Sequence, residues 1–155
     1  MAGDATTPQQ EADFEALMKL REGCRNDVYL DTVGKATVGI GHLVQAGDNL
    51  NVGDVITGAQ VDAFFAQDGA KAMNAAQAQA AEAGITDPTF VPYLASVNFQ
   101  LGTDWTAKFP NTWNMIVNGQ YDAAADALNG TVWNTQTPTR VQDFQGALRR
   151  LPPKP

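Results

Sequence analysis

Two carboxyls and a hydroxyl fall close together in the stretch LMKLREGCRNDVYLDTVGKATVGIGHL, residues 17–43: Glu22, Asp31 and Thr37. Glu22 directly precedes Gly23. Glycine is the usual stop of a helix, because it adopts a left-handed backbone without steric cost. A carboxylate at a helix C-terminus meets the negative end of the helix dipole, which costs stability. A carboxyl kept there is a candidate for proton transfer. Asp31 follows in a segment, 28–31, that reads as extended, and Thr37 comes after a turn around Gly34 and Lys35. An acid and a carboxylate facing each other across a small cleft suit glycoside hydrolysis. The acid protonates the leaving oxygen, and the ionised carboxylate works on the other face of the sugar. Each residue also has an ordinary use: a glutamate ending a helix is commonly a solvated charge, and an aspartate before a turn is a turn former.

A helix and a hairpin must position these groups. Thr7, Pro8 and Gln10 supply an N-cap, an N1 proline and a capping box, so a first helix is predicted over about 8–22, with Phe14, Leu17 and Met18 as its apolar stripe. The return strand is predicted to carry Thr37, Gly39 and Gly41 on one face and Val38 and Ile40 on the other. The connection VQAGDNLNVGD is polar and turn-rich. Thr57 and Gln60 mark a second cap, opening a helix predicted over about 58–83, near 39 Å long. Val61, Phe64, Phe65 and Asp68 recur at helical spacing in it. Its second half is alanine and glutamine, which by composition reads as a solvated helix.

Gly84 ends that helix. Asp87 and Pro88 open the next segment, and Pro92 begins or kinks a helix reaching Leu101. Short helices follow, punctuated by Gly102, Pro110, Gly119 and Gly130, with Trp105, Phe109, Trp113, Met115 and Ile116 as core bulk. Tyr121, Ala124, Ala125 and Leu128 share one side of a helix. Thr137 is predicted to cap the last helix with Pro138 at N1, and Val141, Phe144, Leu148 and Leu151 form its inner stripe. Residues 1–7 and the closing PPKP are expected to be loose ends.

Composition narrows the class. A chain of 155 residues with 44% hydrophobic and 17% charged residues is globular in type. It is long enough to bury about two-thirds of its unfolded surface. A net charge of −7 argues against nucleic acid and against anionic membranes as partners. With one cysteine, Cys24, and one histidine, His42, neither an internal disulfide nor a structural zinc site is expected. The chain shows no basic leader with an apolar core and no apolar run near 18 residues, so no export signal or anchor is read in it.

The string EG-x5-Y-x-D-x2-G-x2-T-x-G-x-GH, from Glu22 to His42, resembles the active-site segment of the phage-type lysozymes. Tyr29, Thr32, Ile40 and Leu43 fall in register with it, without a gap. Further likeness runs through Ile56, Thr57 and Asp68, through Phe99, Gln100 and Gly102, and through WNTQTPTR at 133–140. The 44–54 connection is shorter than in the family's familiar member, and Ala127 replaces a substrate-binding asparagine.

The resemblance implies a mainly helical α+β fold in one lysozyme-like domain spanning 1–155. It would have an N-terminal lobe over about 8–57 with a small antiparallel sheet, a long connecting helix, and a helical lobe over about 84–151, with the cleft between the lobes. It also implies an endolysin that hydrolyses the β-1,4 bond between N-acetylmuramic acid and N-acetylglucosamine in bacterial peptidoglycan, with inversion. Glu22 is then the acid, and Asp31 with Thr37 holds the water. Leu43, Phe99 and Thr112 would touch substrate, Arg140 would return to Glu22, and His42 would pair with Asp68 for stability. No cofactor or metal is implied. A monomer made in the host cytoplasm and acting on the wall after release is expected. The alternatives are a silent peptidoglycan-binding module on the same fold and a lytic transglycosylase, which needs the acid but not the water-holding pair.

Overall fold

The structure is a computed structural model and describes residues 6–153. The first five residues of the expected loose N-terminus, and Lys154 and Pro155 of the closing tail, lie outside the described residues. Helix α1 is Pro8–Glu22. Thr7 and Gln10 cap it reciprocally: Gln10 N–H donates to Thr7 Oγ1 at 3.1 Å, and Thr7 N–H donates to Gln10 Oε1 at 3.0 Å. The second box does the same for α2, Gly58–Ala83, through Thr57 and Gln60. Both pairs satisfy amide donors that a helix start otherwise leaves open.

The described residues fold into two compact units: Glu15–Ala70, and residues 6–14 joined to 71–153. The boundaries fall inside α1 and inside α2.

In Glu15–Ala70, strands β1 (Arg25–Leu30), β2 (Ala36–Gly39) and β3 (His42–Leu43) form an antiparallel sheet in that order. Tyr29 pairs with Thr37 and Leu30 with Ala36, and the register shifts before Arg25 meets Gly39. Thr37 pairs with Leu43 and Val38 with His42 across β2 and β3. Two expectations are corrected here. The extended segment ends at Leu30, and Asp31 belongs to the turn. The return strand does not run through Gly41: Gly39 and Gly41 both have φ of 65°, so the chain reverses over 39–41 and the expected alternation stops. Met18, Val28, Val38, Ile40, Ile56, Val61 and Phe65 are the unit's buried apolar side chains.

In the other unit, the second half of α2 is not a solvated helix. Ala72, Met73, Ala76, Gln79, Ala80 and Ala83 are buried along one face. Helix α3 (Val91–Leu101) is joined to it by Asn98 and Gln79, whose side-chain amides exchange two hydrogen bonds of 3.0 Å. Asn98 also donates to the Ala72 carbonyl at 3.0 Å. The two amides satisfy each other where water is excluded. Helices α4 (Trp105–Lys108), α5 (Pro110–Val117), α6 (Tyr121–Ala127), α7 (Val132–Gln136) and α8 (Pro138–Arg150) complete the unit. Phe144 is the hub of its core, with Trp105 edge-on at 5.6 Å and Phe90 tilted at 5.7 Å. Thr137 sits at the N-cap position of α8, but its side chain does not cap the helix. Its hydroxyl donates to the Trp133 carbonyl at 3.2 Å and accepts from Gln100 Nε2 at 3.0 Å instead. Trp133 Nε1 also donates to Gln100 Oε1 at 2.9 Å, so Gln100 has drawn the threonine into a side-chain network linking three helices.

Candidate active site

Glu22 is the last residue of α1, and Gly23 at φ 75° stops the helix behind it. The hairpin reverses directly against the glutamate. A β-carbon placed on Gly41 would lie 3.0 Å from Glu22 Oε2 and 3.2 Å from its Cδ. The carboxyl therefore packs against bare backbone where any other residue would put a side chain. Gly41 is needed for its φ and for the space it leaves.

The turn between β1 and β2 is built around Asp31. Its Oδ1 accepts from Val33 N–H at 2.9 Å and from Lys35 N–H at 2.8 Å. Its own N–H donates to the Lys35 carbonyl at 2.8 Å. The ordinary use of such an aspartate, forming the turn, is therefore real, and it also fixes the carboxylate's orientation. Both side-chain bonds fall on Oδ1, which leaves Oδ2 to meet an outside partner. Thr37 lies in the central strand and is 7% exposed. Its hydroxyl donates to the Lys35 carbonyl at 3.1 Å, and the oxygen retains acceptor capacity. One carbonyl and one carboxylate thus set the Asp31–Lys35 turn, and the same carbonyl orients Thr37 in the strand that follows it.

His42 and Asp68 come together as the resemblance implies: Nδ1 lies 2.6 Å from Asp68 Oδ2. The sequence reading missed a third member. Nε2 lies 2.8 Å from Oδ2 of Asp48, which also accepts from Gln45 N–H at 2.8 Å. The ring stacks on Phe64 at 4.0 Å between centroids. Burial pushes the His42 pKa down, but the hydrogen bonds and charges of Asp48 and Asp68 outweigh it, and the net shift is upward. The Asp48 pKa is lowered, first by the Gln45 amide and then by His42. A carboxylate on each ring nitrogen favours the charged form of the imidazole and engages both nitrogens within the cluster. The only sequence signal for Asp48 was an acid a few residues after the lone histidine, inside a stretch that read as loop.

The remaining candidates are placed as follows. Leu43, on β3, is 44% exposed. Phe99, on α3, stands edge-on to Phe14 at 6.1 Å between centroids. Thr112, on α5, is 5% exposed. Arg140, on α8, donates from Nη2 to the Ser96 carbonyl at 3.2 Å and to Ser96 Oγ at 3.3 Å. Cys24 is a free, exposed thiol. Among the described residues no group of three or more His, Cys, Asp or Glu side chains is arranged to hold a metal ion.

A small antiparallel hairpin that meets a helix-ending glutamate, followed by a long helix and a helical bundle, defines a lysozyme-type α+β protein. The family model for phage lysozyme matches residues 19–151, and the chain belongs to that family. It is 31% identical over 132 residues to the peptidoglycan hydrolase gp36 of Pseudomonas phage phiKMV, covering 85% of this chain and 14% of that protein. This chain thus spans about one-seventh of the phage protein's length. It is 27% identical over 151 residues to the probable T4-type lysozyme 2 of Dictyostelium discoideum, covering 83% of this chain and 89% of that protein.

Proposed function

We propose that the chain is a muramidase that hydrolyses the β-1,4 bond between N-acetylmuramic acid and N-acetylglucosamine in peptidoglycan, acting as a phage-type endolysin. Family membership and a relative named as a peptidoglycan hydrolase support the substrate class. The observation that carries the reading is the seat of the Glu22 carboxyl against Gly41, in the hairpin that also holds the Asp31 turn and Thr37.

Glu22 is the general acid: its proton goes to the glycosidic oxygen as the bond to the anomeric carbon breaks. Asp31 and Thr37 hold a water on the opposite face. Asp31 accepts a proton from that water as its oxygen bonds to the anomeric carbon, which inverts the configuration. Leu43, Phe99 and Thr112 are assigned to glycan contact, Arg140 to support of the Glu22 carboxyl, and His42 with Asp68 to holding the fold.

Clearing of purified sacculi, or of Gram-negative cells stripped of their outer membrane, tests this directly. The parent should clear them, and Glu22→Gln should lose at least about a thousandfold in rate. Products should carry ordinary reducing ends, with the α-anomer formed first from a β-linkage. Anhydro ends would replace hydrolysis by transglycosylation, and equal clearing by the mutant would move the acid elsewhere. No clearing by a folded parent that still sediments with sacculi would leave only a binding module.

A further inference from the structure

The segment after β3 encloses a depression of about 480 Å³ lined by Val44, Gln45, Ala46, Asn49, Leu50 and Asn51. It lies wholly within Glu15–Ala70 and begins at the residue after Leu43, whose strand partner is Thr37. We propose that it is an additional subsite for an uncharged N-acetylated sugar of the glycan strand. The proposal rests on the peptidoglycan reading above and deepens it.

Three observations carry it. The first is the chemistry of the wall. It combines carboxamide side chains, which both donate and accept, with the aliphatic side chains of Val44 and Leu50. That mixture suits sugar hydroxyls and an acetamido group with its methyl. The second is charge. The chain has 17 acidic residues, yet no charged side chain lines this depression. A stem peptide, with its free carboxylates, would call for lysine or arginine here, so the sugar and not the peptide is the fitting occupant.

The third is rigidity. Asp48 turns inward to His42 and to Gln45 N–H. Gln45 Nε2 donates to the Leu43 carbonyl at 2.9 Å, Val44 N–H donates to the Ala36 carbonyl at 3.0 Å, and Asn51 N–H donates to Asp54 Oδ2 at 2.8 Å. Asn49 is held at a φ of 54°, an uncommon backbone for a residue other than glycine. A loop whose backbone is bonded at this many points is shaped before any ligand arrives, so less ordering is lost on binding.

The test is amide chemical-shift mapping on the 155-residue Glu22→Gln chain, titrated with a neutral β-1,4-linked N-acetylglucosamine tetramer. Shifts should appear at 45–51 as well as around Thr37 and Leu43. Ala46→Trp, which fills the depression from an exposed position, should remove the first set, keep the second, and weaken apparent affinity about fivefold. An unchanged spectrum elsewhere would show that this variant folds. Shifts confined to the Glu22, Asp31 and Thr37 neighbourhood would overturn the subsite and leave the peptidoglycan reading standing. Shifts at 45–51 with a free stem peptide but not with the tetramer would also overturn it. No shifts at all, with sacculi still cleared by the parent, would reject the subsite alone. No shifts and no clearing would remove the peptidoglycan reading and the subsite with it.

Discussion

Among single residues, Gly41 has the sharpest consequence. A left-handed backbone costs an ordinary L-residue about 1–2 kcal/mol, and here a β-carbon would also press on the Glu22 carboxyl at 3.0 Å. Gly41→Ala should therefore lower stability by about 1–2 kcal/mol. It should cost far more in rate, about a hundredfold, because an ångström of misplacement at the proposed acid is felt exponentially. Thermal melting and sacculus clearing measured on the same preparation separate the two losses. A variant with parental clearing would show that the glutamate's seat does not matter. Asp31 and Thr37 were legible as candidates from type and spacing. The sequence did not reveal that one carboxylate oxygen is spent on the turn and the other is not, because that division depends on which amides the closed turn presents.

Among elements, the link between β3, the loop that follows it and α2 is electrostatic. His42 sits between Asp48 and Asp68, stacked on Phe64, and these are the groups facing its ring. Because the His42 pKa is raised in the folded protein, its contribution is fully present below the unfolded value near 6.5 and is lost as pH rises through the folded one. Because the Asp48 pKa is lowered, its contribution is present above the unfolded value near 3.8 and is lost as pH falls through the folded one. The link is thus strongest in the window between those two ordinary values. Asp48→Asn should cost about 1–3 kcal/mol near pH 5.5 and clearly less near pH 9.5. Denaturant unfolding of parent and variant at both pH values checks this, and a pH-independent difference would mean that the histidine is not charged. The helices were the most legible elements, since their caps and glycine stops are local chemistry. The hairpin was read as one alternating strand because period-two patterning cannot show that both Gly39 and Gly41 take a positive φ.

At the level of the whole molecule, the acidity stands out. A net charge of −7 repels anionic wall polymers at long range and should slow encounter. Lysis should be weaker at low ionic strength than for a basic relative, and should improve as salt rises to about 0.15 M, where charges beyond roughly 8 Å are screened. Turbidity clearing across a salt series would reveal the trend, and a rate that only falls with added salt would overturn the repulsion. Among the described residues no helix is long and apolar enough to cross a membrane.

Much of this protein is determined by local chemistry that the sequence carries unaided. The reciprocal boxes at Thr7–Gln10 and Thr57–Gln60 close within a few residues, so α1 and α2 begin where their side chains say. The ungapped motif around Glu22, Asp31 and Thr37 marks the family for the same reason: its spacing is short and needs no distant partner. What depended on distant partners was decided only by the tertiary structure. Thr137 abandons its cap because Gln100 and the Trp133 carbonyl reach its hydroxyl first. One face of the alanine-rich half of α2 is buried, and there Asn98 on another helix pairs with Gln79 and the Ala72 carbonyl. Asp48 becomes a partner of His42 only when the loop closes over the ring. In each case the sequence names the groups, and the energy of burying them against one another selects which pairs form.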